Sequence, residues 1–136
     1  MTTFNKVVAF LLLGLVRSAA TLPSSTVTFY DNTWHDDSGG SQEYTVIKTQ
    51  MCIDLCGFSD RAKWADVAET GEIDGKTRIA FYTDAACKGT VRDWAVDAPD
   101  GFPGNFFLDG IDNQISSFMI WKVDKFARSY QRLCNK

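Results

Sequence analysis

Oxygen donors crowd one short stretch of this chain. Asp112-Asn113-Gln114-Ile115-Ser116-Ser117 offers side-chain oxygens at Asp112 and Asn113, a backbone carbonyl at Gln114 and a hydroxyl at Ser116. Hard cations such as calcium gather six to eight oxygens, with water completing an open surface site. A degenerate copy of the surrounding frame lies 53 residues upstream, where Cys56-Gly57-Phe58-Ser59-Asp60-Arg61-Ala62-Lys63-Trp64 aligns with Asp109 to Ser117. Phe29-Tyr30-Asp31 likewise recurs as Phe81-Tyr82-Thr83, at an offset of 52. Two separated echoes at nearly one period indicate a duplicated structural unit with a cation site.

Other chemistry is thinly represented. His35 is the sole histidine and stands beside Asp36 and Asp37, but its turn-like setting marks a solvated surface residue. No nucleophile–base pair, paired-carboxylate motif or phosphate-binding loop occurs, so the expectation is a protein without catalytic activity. Cys52, Cys56, Cys87 and Cys134 lack the paired spacing of zinc ribbons. An even count in an exported chain implies two disulfides, with three connectivities open, and Cys134 is placed to tie the C-terminal tail to the body.

Export is read from residues 1–20. Lys6 supplies a positive start, Val7 to Val16 an apolar core, and Ser18-Ala19-Ala20 a small-residue cleavage site. Ten apolar residues are too few to cross a bilayer core, which needs about 20. The remainder, 21–136, is expected to be one secreted, monomeric domain with no membrane span. Without the leader, 12 bases face 17 acids, a net charge of −5. That balance argues against nucleic acid, which rewards clustered Lys and Arg. Lys122, Lys125, Arg128, Arg132 and Lys136 alternate with apolar residues as a solvated face would.

Short β-prone runs bounded by turn residues must position the donors. Strands are expected over Thr26 to Tyr30, Glu43 to Ile47, Met51 to Leu55, Thr77 to Tyr82, Thr90 to Val96, Asn105 to Leu108 and Ser117 to Val123. Arg61 to Glu69 and Lys125 to Leu133 read as short helical turns, and Asp36 to Ser41 and Ala98 to Gly104 as loops. Trp34, Trp64, Trp94, Trp121 and the ten phenylalanines read mostly as core, with Phe102, Phe106 and Phe107 as an alternative exposed knob. Many short strands in two similar halves imply an all-β antiparallel sandwich of Greek keys.

These residues resemble the βγ-crystallin domain, a sandwich of two four-stranded Greek-key motifs. Each motif of that family opens on an aromatic corner hairpin followed by a glycine. Tyr82 to Gly89 matches if Cys87 replaces the second aromatic, and Gly89 falls where φ must be positive. Phe29 to Trp34 keeps both aromatics, with the glycine displaced to Gly39-Gly40. The family's calcium signature, Asn/Asp, Asn/Asp, two variable residues, Ser/Thr, Ser, is met at all six positions by Asp112 to Ser117. The resemblance divides the chain into motif one (about 26–70), motif two (about 77–123) and a tail, 124–136, outside the family pattern.

The resemblance also implies that sites are shared crosswise between motifs. Ser59, Asp60 and Arg61 match the partner signature loosely, but Lys63 stands where a hydroxyl is needed. An ammonium offers no acceptor and repels a cation. One calcium site is therefore expected, using Asp112, Asn113, Gln114 and Ser116 with Asp60 from the first motif, the second site being lost. The implied functions are a secreted calcium-binding module, an antagonist of neighbouring cells in the manner of killer toxins and effectors, or a proteinase inhibitor presenting Asp97 to Gly104. Its partners would be calcium and an extracellular protein or cell-wall target.

Overall fold

Alternation of apolar and polar side chains drives the first sheet. The computed structural model describes residues 24–32, 39–69, 76–96 and 105–132. In β1 (Ser25–Tyr30), Val27 and Phe29 point inward and are fully buried. β2 (Ser41–Val46) pairs antiparallel with it, Ser25 opposite Val46, and buries Tyr44 and Val46 on the same side. β3 (Met51–Asp54) leaves this sheet, and β4 (Trp64–Glu69) returns to pair with the other edge of β1. The first sheet therefore runs β2-β1-β4.

The second half repeats that return. β5 (Arg78–Asp84) is flanked by β6 (Lys88–Ala95) on one side and β7 (Ser117–Trp121) on the other. β3 adds to the outer side of β7, antiparallel, and β8 (Ser129–Arg132) adds parallel to β3. The order is β6-β5-β7-β3-β8, so a strand of the first half is built into the second sheet. The two inner faces share one core around Phe29, Tyr44, Phe81, Phe106 and Phe118. Phe29 meets Tyr44 and Phe81 edge-on at 5.8 Å, and Phe81 meets Phe106 at 4.9 Å, the favoured aromatic geometry. Phenylalanine fills the core, while Trp64, Trp94 and Trp121 are only half buried.

The all-β expectation holds, with no helix among the described residues. The helical turn read over Arg61 to Glu69 is instead β4. Its alanines favour helix, but Ala65 and Val67 lie at alternate positions that face the core when paired with β1, and packing overrides propensity. The turn read over Lys125 to Leu133 is an irregular segment followed by β8, whose long-range partner is invisible to local periodicity. Asn105 to Leu108 is not a strand. Asn105 makes a single bridge to Trp64, then successive turns bury Phe106 and leave Phe107 and Leu108 67% and 80% exposed.

The second sheet is also covered on its outer face. Ala80, Tyr82 and Met119 form a smaller apolar cluster there with Cys87, Val91 and Trp121. Gln50, buried and at φ 60°, anchors the segment that crosses beside it. Its Nε2 donates to the carbonyls of Asp124 and Phe126, and its Oε1 accepts from Lys122 N–H. Lys125 Nζ reaches Asp93 at 2.6 Å, while Tyr82 Oη donates to the Lys125 carbonyl.

Of the possible cysteine pairings, Cys52–Cys87 is present, with Cα atoms 5.9 Å apart. Cys56 is also disulfide-bonded. The leader, His35, Trp34, Phe102, the Asp97 to Gly104 loop and Cys134 lie outside the described residues. Among the described residues no helix is long and apolar enough to cross a membrane.

Candidate functional site: two loops related by the repeat

The two oxygen-rich loops meet face to face and bond reciprocally. Asp60 N–H donates to Ile115 O, and Asn113 N–H donates to Ala62 O, both at 3.0 Å. Residues 60 and 113, and 62 and 115, are each 53 apart, so one contact is the image of the other. Lys63 N–H reaches Tyr30 O at 2.8 Å, as Ser116 N–H reaches Tyr82 O at 2.9 Å. The backbone repeats too: Gly57 and Gly110 have φ of 78° and 67°, Asp60 and Asn113 of 58° and 53°. Asp and Asn tolerate this left-handed region better than most residues, because their short side chains bond locally.

Side chains break the symmetry. Ser116 Oγ lies 3.2 Å from Asp60 Oδ1 and 2.8 Å from Ser59 Oγ, bringing three oxygens from both repeats together. At the equivalent point of the other loop stands the half-buried Lys63. Asn113 Nδ2 bonds Asp112 Oδ2 at 3.2 Å, and Gln114 Nε2 reaches Gly110 O at 3.4 Å. Thus Asp60 and Ser116 converge, whereas the hydrogen bonds of the Asp112, Asn113 and Gln114 side chains stay within their own loop. Ser117 is buried and structural: its Oγ donates to Asp84 O and accepts Cys87 N–H, holding the β5–β6 turn. Gly89 closes that turn at φ 78°, where an added Cβ would lie 2.5 Å from Thr83 Oγ1.

Two charged groups adjoin the loops. Arg61 donates to Asp31 Oδ2 at 2.8 Å and lies over the Phe58 ring. Arg61 chiefly holds the Asp31 carboxyl below its ordinary range, helped by Gly40 N–H, whose bond closes the long β1–β2 connection. Asp54, at the end of β3, is buried; its Oδ1 accepts Ala86 N–H at 2.8 Å and its Oδ2 accepts Tyr130 Oη–H. An acid inside the apolar run Met51-Cys52-Ile53-Asp54-Leu55 is a legible signal that motif matching passes over.

As a donor set for calcium, Asp60, Ser59 and Ser116 fit in spacing. Ligands 2.3–2.6 Å from one ion and about 70–80° apart lie about 3 Å from each other. They supply one carboxylate, and among the described residues no group of three or more His, Cys, Asp or Glu is placed to hold a metal. Comparison of the chain with family models, curated proteins and solved structures finds no match.

Proposed function

We propose that the chain is a βγ-crystallin-like module, secreted and non-catalytic, that binds one calcium ion between its loop repeats. The fold reading is supported by the return of β4 to β1 and of β7 to β5, the connection that makes a Greek key. The calcium reading rests on one observation, the approach of Ser116 Oγ to Asp60 Oδ1 across the two repeats. Asp60 supplies the charge, the two hydroxyls supply neutral oxygens, and the rigid start of β7 fixes Ser116. When bound, calcium would neutralise Asp60 and clamp the loops together. A single carboxylate places the affinity at the weak end, about 10⁻⁴–10⁻³ M.

Its role is that of an extracellular antagonist directed at neighbouring cells, and the exposed Phe107 and Leu108 support an interaction surface. Applying the protein to microbial cells, with and without calcium, tests that role by growth inhibition.

Calcium binding is tested by thermal melts and titration calorimetry. Millimolar calcium should raise the melting temperature through one site, the stabilisation being at most about 1.4 kcal/mol at a tenfold excess over Kd. Ser116→Ala should remove most of that gain while leaving the calcium-free fold nearly unchanged. Lys63→Ser should add a second equivalent by replacing a repelling ammonium with an oxygen. A melting point indifferent to calcium, or two equivalents in the parent, contradicts the assignment.

A further inference from the structure

Gln50 gathers three exposed apolar side chains around one point. Val123 lies between Lys122 and Asp124, and Phe126 follows, all within the segment that the Gln50 amide holds. Ile47 is three residues from Gln50 in the β2–β3 connection, so it lies within about 10 Å of it along the chain. Ile47, Val123 and Phe126 are 58%, 72% and 78% exposed. We propose that this end of the molecule docks on an anionic phospholipid bilayer, inserting these side chains to the depth of the headgroups. Docking goes beyond the calcium reading and does not require it, because the loop repeats join the start of β7 and this surface follows its end.

Charge at this end runs against that of the whole chain, which is −3. Around Gln50, Lys48, Lys122, Lys125 and Arg128 face Asp93 and Asp124, a local charge of +2. Lys125 and Arg128 are paired with those two acids, and the local charge includes both partners. Attraction to an anionic surface acts through the summed charge, so it needs no unpaired donor. Lys48 is exposed and forms no ion pair among the described residues. The basic residues expected from the sequence as a solvated face thus flank exposed apolar ones, the pattern of segments that lie in a bilayer interface.

The backbone is prepared for that environment. A polar group carried unpaired towards lipid is costly. Here the N–H groups of Lys122 and Phe126 donate to Gln50 Oε1 and Asp124 Oδ1, and those of Arg128 and Ser129 to Gln50 O. The Asp124 and Phe126 carbonyls accept from Gln50 Nε2, and the Lys125 carbonyl accepts from Tyr82 Oη–H. The segment can therefore meet the interface without stranding these groups. Its apolar side chains project singly into solvent. That suits a fluid surface better than a protein partner, whose packing must match in shape.

Co-sedimentation of the intact protein with lipid vesicles, in chelator and at low ionic strength, is the test. Vesicles of phosphatidylserine and phosphatidylcholine in equal parts should bind the parent, and phosphatidylcholine alone should not. Salt at about 1 M, where the screening length falls to about 3 Å, should weaken binding. Lys48→Glu should weaken it about tenfold or more, since each basic residue near an anionic surface contributes about fivefold. Phe126→Ser should cost about tenfold through lost apolar burial. Both side chains are exposed, so the fold is retained. Lys88→Glu makes the same charge change at the β5–β6 turn, beyond the screening length, and should stay within about twofold of the parent. Titrating the parent with phosphatidylserine nanodiscs should broaden the amide resonances of Ile47, Lys48, Val123 and Phe126 first, a readout independent of any variant's folding. Absence of binding to the mixed vesicles overturns the proposal, as does equal binding to phosphatidylcholine alone. So does a Lys88→Glu loss as large as that of Lys48→Glu, or broadening centred on Asp60 and Ser116. Retention on a poly-glutamate resin without vesicle binding would make this a protein-docking surface and equally overturns it. Calcium stabilisation without vesicle binding sinks the bilayer proposal alone, and vesicle binding without calcium stabilisation sinks the calcium site alone.

Discussion

At the residue scale, two polar groups, one without a partner and one with two, make opposite predictions. The Tyr44 hydroxyl is buried with no hydrogen-bond partner among the described residues, and burial pushes its pKa up to about 12. An unmade hydrogen bond costs about 1–3 kcal/mol. Tyr44→Phe keeps the ring contacts with Phe29 and Phe118 and should stabilise by about 1 kcal/mol in chemical denaturation; a loss of stability would mean the hydroxyl finds a partner. Asp93 is the contrary case. Burial raises its pKa, but hydrogen bonds from Lys125 and Arg78 outweigh that, and the carboxyl sits below its ordinary value. A depressed carboxylate stabilises above the unfolded pKa, about 3.9, and loses that contribution as pH falls through the folded value. The melting-temperature gap between parent and Asp93→Asn should therefore be widest near pH 7 and shrink towards pH 3. A gap constant with pH would detach Asp93 from both cations.

At the scale of elements, one side chain holds the route from β7 to β8. The Gln50 amide uses both its ends on residues 122–126, and its backbone carbonyl accepts from Arg128 and Ser129. Gln50→Leu keeps the volume but strands those groups, and should cost about 2 kcal/mol. Hydrogen exchange should speed up first at 122–132; uniform acceleration would show the segment to be held by other contacts. The same region shows what was legible beforehand. The loop repeats were readable because glycine and Asp/Asn at fixed spacing answer a local backbone demand, positive φ. β4 and β8 were not. Their state is decided by β1 and β3, neighbours 34 or more residues away, and their own alanines and basic residues favour no strand. Within the site, Ser59, Asp60 and Ser116 followed from the repeat, whereas the Tyr130 bond to Asp54 forms only after β8 is seated.

For the whole molecule, the exchange of β3 makes the two halves inseparable. Met51 to Asp54 pairs with residues 117–120 and 129–132, and Cys52 is bonded to Cys87 in the second half. Closing those 35 residues restricts the unfolded chain by about 4 kcal/mol in the chain-entropy account. Alkylation without reductant should add no mass to the oxidised protein, and peptide mapping should recover Cys52–Cys87 together with a bridge from Cys56 to Cys134, the one remaining cysteine. Labelled thiol, or a Cys52–Cys56 peptide, would contradict that pairing. The connectivity bears on the order in which a ribosome delivers the chain. Cys56 emerges four residues after Cys52, while the native partner Cys87 follows only after 35. A nascent chain oxidised as it appears therefore meets its nearest, wrong thiol first, and reaching the native state then requires exchange once β5 and β7 exist.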